Sequence, residues 1–180
     1  MTISIRIEDQ LAFEFQRASW AAVKWDDEAS YHGGLRRLDA SAVDIVATMY
    51  QSTVCLIEVK DPRGHWIEYR DRNPVEKLAA MAADKVRDTI AGIVYARDRH
   101  PGDHLHVHLR SMFEARSTRP LVVLWLEGVE LQPALATTLT ALIDKKLVWL
   151  KPKVLVTSRA LWRGLAGLEV RSLAGAPWKG

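Results

Sequence analysis

Two runs rich in β-branched and apolar residues, Val43–Met49 and Val54–Val59, stand four residues apart. Runs of that length and composition read as strands, and Tyr50–Thr53 between them is the length of a hairpin connection. From Asp44 to Lys60 the segment reads DIVATMYQSTVCLIEVK. In an antiparallel hairpin centred on Gln51, paired positions sum to 102, and Asp44 lies opposite Glu58. Side chains directly opposite share a face and stand about 5 Å apart at Cβ. Lys60, two residues beyond Glu58, points to that same face. A two-residue turn at Gln51-Ser52 moves the sum to 103 and places Asp44 opposite Val59 instead. The register therefore decides whether three polar groups converge.

The rest of the chain alternates helical and strand-like patterns, which predicts an α/β domain. Leu11, Phe15, Ala18 and Ala22 recur at spacings of four, three and four, which predicts a helix over 8–24. The polar stretch from Trp25 to Leu38 contains Gly33-Gly34 and reads as loop with room for a short first strand. Asp61-Pro62-Arg63-Gly64 ends the second hairpin strand with turn chemistry. Asn73 suits an N-cap, Pro74 the first helical position, and Glu76 follows three residues after the cap. Val75, Leu78, Ala82, Val86, Ile90 and Ile93 then carry an apolar face to about Ala96. Leu121–Leu126 is a short, wholly apolar run, the signature of a buried strand. A helix from Pro133 to about Leu147 and strands at Val154–Thr157 and Leu168–Leu173 complete the order.

At 180 residues the chain suits one domain, and 48% hydrophobic with 26% charged residues is an ordinary globular balance. The apolar runs fall far short of the roughly 20 residues a membrane helix needs, so no membrane association is expected. The N-terminus does not resemble a secretory signal. Cys55 is the only cysteine, which excludes an internal disulfide and fits a cytoplasmic protein. The net charge of +3 is unevenly spread. Residues 145–180 carry eight Lys or Arg and one acid, Glu169, so that segment is +7. Such an end either meets phosphates or forms a solvated basic surface. Trp149 and Trp162 lie inside it, as stacking platforms for single strands or as packing residues.

The chemistry that suits Asp44, Glu58 and Lys60 is metal-assisted hydrolysis of a phosphodiester. Two close carboxylates repel each other unless a cation lies between them. Oxygen ligands select a hard ion, Mg²⁺ or Mn²⁺, and the Val59 carbonyl is a further candidate ligand. Such an ion lowers the pKa of a bound water and stabilises charge on the phosphate. Lys60 would orient the attacking water or stabilise the transition state. The plainer alternative is a Glu58–Lys60 ion pair at a sheet edge with Asp44 in a turn.

A strand Asp, a hairpin and then Glu-x-Lys resembles the PD-(D/E)xK nuclease superfamily, which includes restriction enzymes and Holliday-junction resolvases. The resemblance covers roughly residues 8–127: a helix, a β-meander carrying the motif, a helix, then a strand. Residues 128–180 would be a basic α/β extension within one nuclease-like domain of 1–180. The resemblance implies a restriction-endonuclease-like mixed sheet flanked by helices, a Mg²⁺ or Mn²⁺ cofactor and a DNA substrate. It adds Glu14, from the first helix, to the metal ligands Asp44, Glu58 and Val59. Val43 stands where the motif often has proline. LIEVKDPRG also resembles a group of uncharacterised bacterial members.

Arg63, His65, Arg70 and Arg72 follow the motif, placed either along a nucleic acid backbone or beside Glu68 and Asp71 in a solvated loop. Lys85 lies on the polar helix face, where similar folds place a basic residue near the metal and where Asp84 and Asp88 offer surface partners. His104, His106 and His108 alternate, and Val107 stands where a metallo-β-lactamase pattern needs Asp, so an exposed strand face is the expectation. There is no Walker loop, dinucleotide fingerprint, nucleophile elbow or zinc-ligand spacing. The sequence therefore points to a metal-dependent nuclease. The alternative is a non-catalytic nucleic-acid-binding or assembly module of the same fold. Either admits a homodimer or a partner protein.

Overall fold

A computed structural model describes residues 1–7, 10–27, 40–50, 52–61, 74–99 (side chains through 95), 119–127 and 131–173. Strands β1 (Thr2–Ile7), β2 (Leu11–Gln16) and β3 (Trp20–Lys24) open the chain, followed by a short 3₁₀ turn, Trp25–Asp27. The hairpin is β4 (Ile45–Met49) and β5 (Thr53–Lys60). Helix α1 (Val75–Arg99), β6 (Leu121–Leu126), α2 (Pro133–Lys146), β7 (Lys153–Thr157) and β8 (Leu168–Ser172) complete it.

These strands form two sheets, one of five strands in the order β3-β4-β5-β6-β7 and one of three in the order β1-β2-β8. The meander β3-β4-β5 is antiparallel, and β5, β6 and β7 run parallel. All six residues of β6 are buried, which a strand achieves only when both faces of its sheet are covered. Val54, Leu56, Val122, Leu124 and Val156 face one cluster with Leu78, Ala82, Val86, Leu139 and Ile143 of the two helices. Cys55, Ile57, Val59, Val123 and Trp125 face the other, with Ile5, Phe13 and Phe15 of the small sheet. The architecture is thus a three-layer α/β fold: helices, five-stranded sheet, three-stranded sheet.

Residues 11–24 depart from the helix expected over 8–24. The chain forms β2 and β3 there, and Glu14 lies on β2. Leu11, Phe13 and Phe15 are buried on alternate positions, and Ile5 and Ile7 do the same on β1. The helical spacing of Leu11, Phe15, Ala18 and Ala22 is coincidental, overridden by pairing with distant β8 (Leu11 opposite Ser172). The segment expected as an extension is woven into both sheets, since β7 joins the five-stranded sheet and β8 the small one. Among the described residues no helix is long and apolar enough to cross a membrane. Arg63, His65, Arg70, Arg72, the Asn73 cap and the alternating histidines His104, His106 and His108 lie outside the described residues.

Candidate active site

The hairpin register is the one that sums to 102, with Ile45 opposite Ile57 and Met49 opposite Thr53. The paired residues end at Ile45 and Ile57, and Asp44, one residue before β4, forms a bend just beyond the last pair, close enough for its charge to act on Glu58. Val54 and Leu56 face the helices, so by alternation Glu58 and Lys60 do as well. Both lie at the carboxyl end of β5, the central strand of the sheet rather than an edge.

Helix α1 anchors this corner. Thr89, fully buried, accepts the Val43 N–H at 2.9 Å, and Asp88 accepts the Ser41 N–H at 3.2 Å. Docking residues 41–43 on the helix fixes the entry of Asp44 into the sheet. One turn earlier, at the i−4 position of Thr89, Lys85 points the same way. Its ammonium stands 2.8 Å from Glu58 Oε1 and 3.0 Å from Oε2. Asp84 and Asp88 are not its partners; both pair with Arg87 instead.

Glu58 is 2% exposed, and Lys60 Nζ also stands 2.8 Å from its Oε1. One buried carboxylate is thus flanked by two ammonium groups. Asp44 Oδ2 accepts the Val59 N–H at 2.7 Å, which turns this carboxylate onto the backbone between Glu58 and Lys60. Burial pushes the Glu58 carboxyl up to about 7, and the Asp44 charge adds to the rise, while Lys60 and Lys85 oppose it.

That shift fixes a pH dependence. The folded-state pKa of about 7 lies above the ordinary 4.5, so protonated Glu58 favours the fold. Its contribution is complete below pH 4.5 and is lost as pH rises through 7. At about 1.4 kcal/mol per pH unit, the difference is roughly 3 kcal/mol. Urea unfolding in metal-free buffer should show stability falling across that window. Glu58→Gln should remove this part of the slope, and an unchanged slope would exclude Glu58 as its source.

A third acid reaches the corner from a segment expected to be loop. The Trp25 N–H donates to the Asp44 carbonyl at 2.9 Å, which carries Asp26 to the same rim. Asp26 Oδ1 is buried without a hydrogen-bond partner among the described residues. Burial raises the Asp26 pKa, opposed by Lys24, with Asp27 and Asp44 adding to the rise. Nothing in the polar stretch from Trp25 to Leu38 marked Asp26 out, because its placement follows from β3–β4 pairing. Glu14 does not join the site. It lies on the face of β2 away from the buried Phe13 and Phe15, and Arg171 pairs with it at 3.1 Å.

The sequence reading also passed over Glu127, which follows β6. It is 5% exposed, accepts the Trp125 Nε1–H at 2.9 Å and pairs with Arg159 at 2.7 Å. By alternation with Trp125 it belongs to the opposite face of the sheet from Glu58.

Asp44 and Glu58 offer a hard, all-oxygen donor pair that repels itself. Among the described residues no three Asp, Glu, His or Cys side chains are grouped to enclose a metal ion. This donor set fits Mg²⁺, which binds through one or two carboxylates and keeps its waters, better than an ion that needs a full protein cage. Comparison of the chain with family models, with curated proteins and with solved structures finds no match.

Proposed function

We propose that this protein is a metal-dependent nuclease that hydrolyses phosphodiester bonds of DNA. The observation that supports it most is the cluster at the end of the hairpin, where Asp44 accepts the Val59 N–H at 2.7 Å and Glu58 and Lys60 lie on either side of Val59, paired at 2.8 Å. Asp44 and Glu58 would hold Mg²⁺ or Mn²⁺, with the Val59 carbonyl as a further ligand and Asp26, rather than Glu14, as an additional acid whose charge acts on Asp44. The ion would supply an activated water and a counter-charge for the phosphate. Lys60, 22% exposed at the rim, is the cation placed to meet charge developing on the substrate. Lys85, anchored on α1, favours the charged form of Glu58 and would hold it in place when Lys60 engages the substrate. Lys85 is a positioning residue in this scheme.

Calorimetric titration with Mg²⁺ and Mn²⁺ tests the ligand assignment. Asp44→Asn keeps an acceptor for the Val59 N–H but loses the charge. It should weaken binding by at least about 10-fold, the lower end of what even an outer partner contributes at a metal site. Equal binding by both proteins would remove Asp44 from the ligand set.

One observation favours the second reading, a nucleic-acid-binding or assembly module without catalysis. Glu58 already has two ammonium partners, and a buried carboxylate so paired has no need of a metal. Such a module would hold DNA equally well in chelator.

A further inference from the structure

At the end of the sheet opposite Glu58, bases and aromatics gather without a role in the site. The amino ends of β6 and β7 meet there, with the Lys153 N–H donating to the Pro120 carbonyl at 2.7 Å. Arg119 precedes β6, Lys145 and Lys146 end α2, and Lys151 and Lys153 lead into β7. All five are exposed, and none makes an ion pair among the described residues. Asp144 is the one acid in residues 131–168.

Between the lysine pairs the chain makes a tight knuckle. The Leu150 and Lys151 N–H groups both donate to the Leu147 carbonyl, at 2.8 and 3.1 Å. Leu147 and Pro152 are buried beneath it, whereas Val148 is 67% and Trp149 55% exposed. Lys151 closes the knuckle at φ 48°, a left-handed conformation unfavourable for a residue with a Cβ. The β4–β5 turn holds a second exposed aromatic, Tyr50, at the same end of the sheet. The starts of β5 and β7 are two strand spacings apart, roughly 10 Å.

Ordinary structural roles explain part of this. Lys145 and Lys146 complement the carboxyl end of α2, and lysine on the edge strand β7 discourages pairing with another chain. Neither role explains an indole held out in water among five exposed cations that make no ion pair among the described residues. A membrane-seeking surface would be expected to offer a broader apolar face than Val148 and Trp149. Separated aromatics with bases between them match a strand whose bases stack while its phosphates are neutralised.

We propose that this rim is a docking surface for single-stranded nucleic acid, with Trp149 as the stacking platform and Lys151, Lys153 and Arg119 as phosphate contacts. Trp162, the other tryptophan of the basic stretch, has no part in it, since its ring packs against Trp125 at 5.4 Å. The surface lies at the far end of the sheet from Glu58 and works whether or not that site cleaves.

The test is fluorescence anisotropy of a labelled oligo(dT) in chelator, which isolates binding from hydrolysis. Trp149→Ala should weaken binding about 10-fold, the effect of losing one stacked base. Trp149→Phe should restore most of it. The double variant Lys151→Glu, Lys153→Glu should lower affinity and flatten the dependence of log K on log salt. All the altered side chains are exposed, and circular dichroism checks that each variant folds. Absence of oligo(dT) binding by the wild type would overturn the proposal, as would binding indifferent to Trp149. Trp149-dependent binding to phosphatidylserine vesicles without oligonucleotide binding would assign the surface to lipid and overturn it as well.

Discussion

Lys60→Ala should lower metal-dependent DNA cleavage by about 10²–10³-fold, the usual effect of deleting one charge stabiliser of a transition state. The fold should survive the change. Lys60 is at the sheet rim, and Glu58 keeps Lys85 at 2.8 Å when Lys60 is gone. Metal affinity should hold or rise, because Lys60 competes with a divalent ion for Glu58 Oε1. The expected pattern is therefore a fall in kcat with metal binding retained, the reverse of Asp44→Asn. Single-turnover cleavage together with metal titration separates the two. If Lys60→Ala cleaves as fast as the wild type, Lys60 is only a counter-ion for Glu58.

Trp125→Ala should have the largest effect on stability. The indole is 1% exposed and joins the five-stranded sheet to the layer beneath it. It meets Phe13 edge-on at 5.5 Å and Trp162 at 5.4 Å. Truncating a buried aromatic to alanine costs about 3–5 kcal/mol. The change also removes the donor to Glu127 Oε2, and a buried acceptor left unpaired costs about 1–3 kcal/mol more. Against a domain stability of about 5–15 kcal/mol, the variant should be largely destabilised or unfolded. Trp125→Phe keeps a ring but loses the donor, so its urea midpoint should fall between those of the wild type and Trp125→Ala. Far-UV circular dichroism reads all three without relying on the lost tryptophan. An unchanged midpoint for Trp125→Ala would mean that the two sheets do not depend on this contact.

What could be read from the sequence was local. Leu121–Leu126 is a strand with the same ends as its apolar run, and α2 ends one residue short of its expected limit. The hairpin register follows from the turn centre without any tertiary information, although its paired residues stop at Ile45 and Ile57, one short of Asp44. What escaped depended on distant partners. Residues 11–16 satisfy helical spacing and strand alternation alike, and pairing with residues 168–172 decides between them. Glu14 went to the wrong layer with its element. Asp26 reached the site through β3, whose place beside β4 no local pattern revealed. Lys85 had three acids within reach in principle. The structure gives Asp84 and Asp88 to Arg87, which leaves the buried Glu58 to Lys85. Trp149 and Trp162 look alike in sequence, but only Trp162 folds back onto the core.

The most direct test is cleavage of supercoiled, linear and single-stranded DNA by the wild type and Asp44→Asn, in Mg²⁺, in Mn²⁺ and in chelator. The nuclease reading predicts cleavage by the wild type only with a divalent metal, and none by the folded variant. If the folded wild type cleaves nothing in either metal, yet binds DNA in chelator as well as the variant does, the reading is contradicted. Asp44, Glu58 and the two lysines would then be an internal ion-pair network in a binding module.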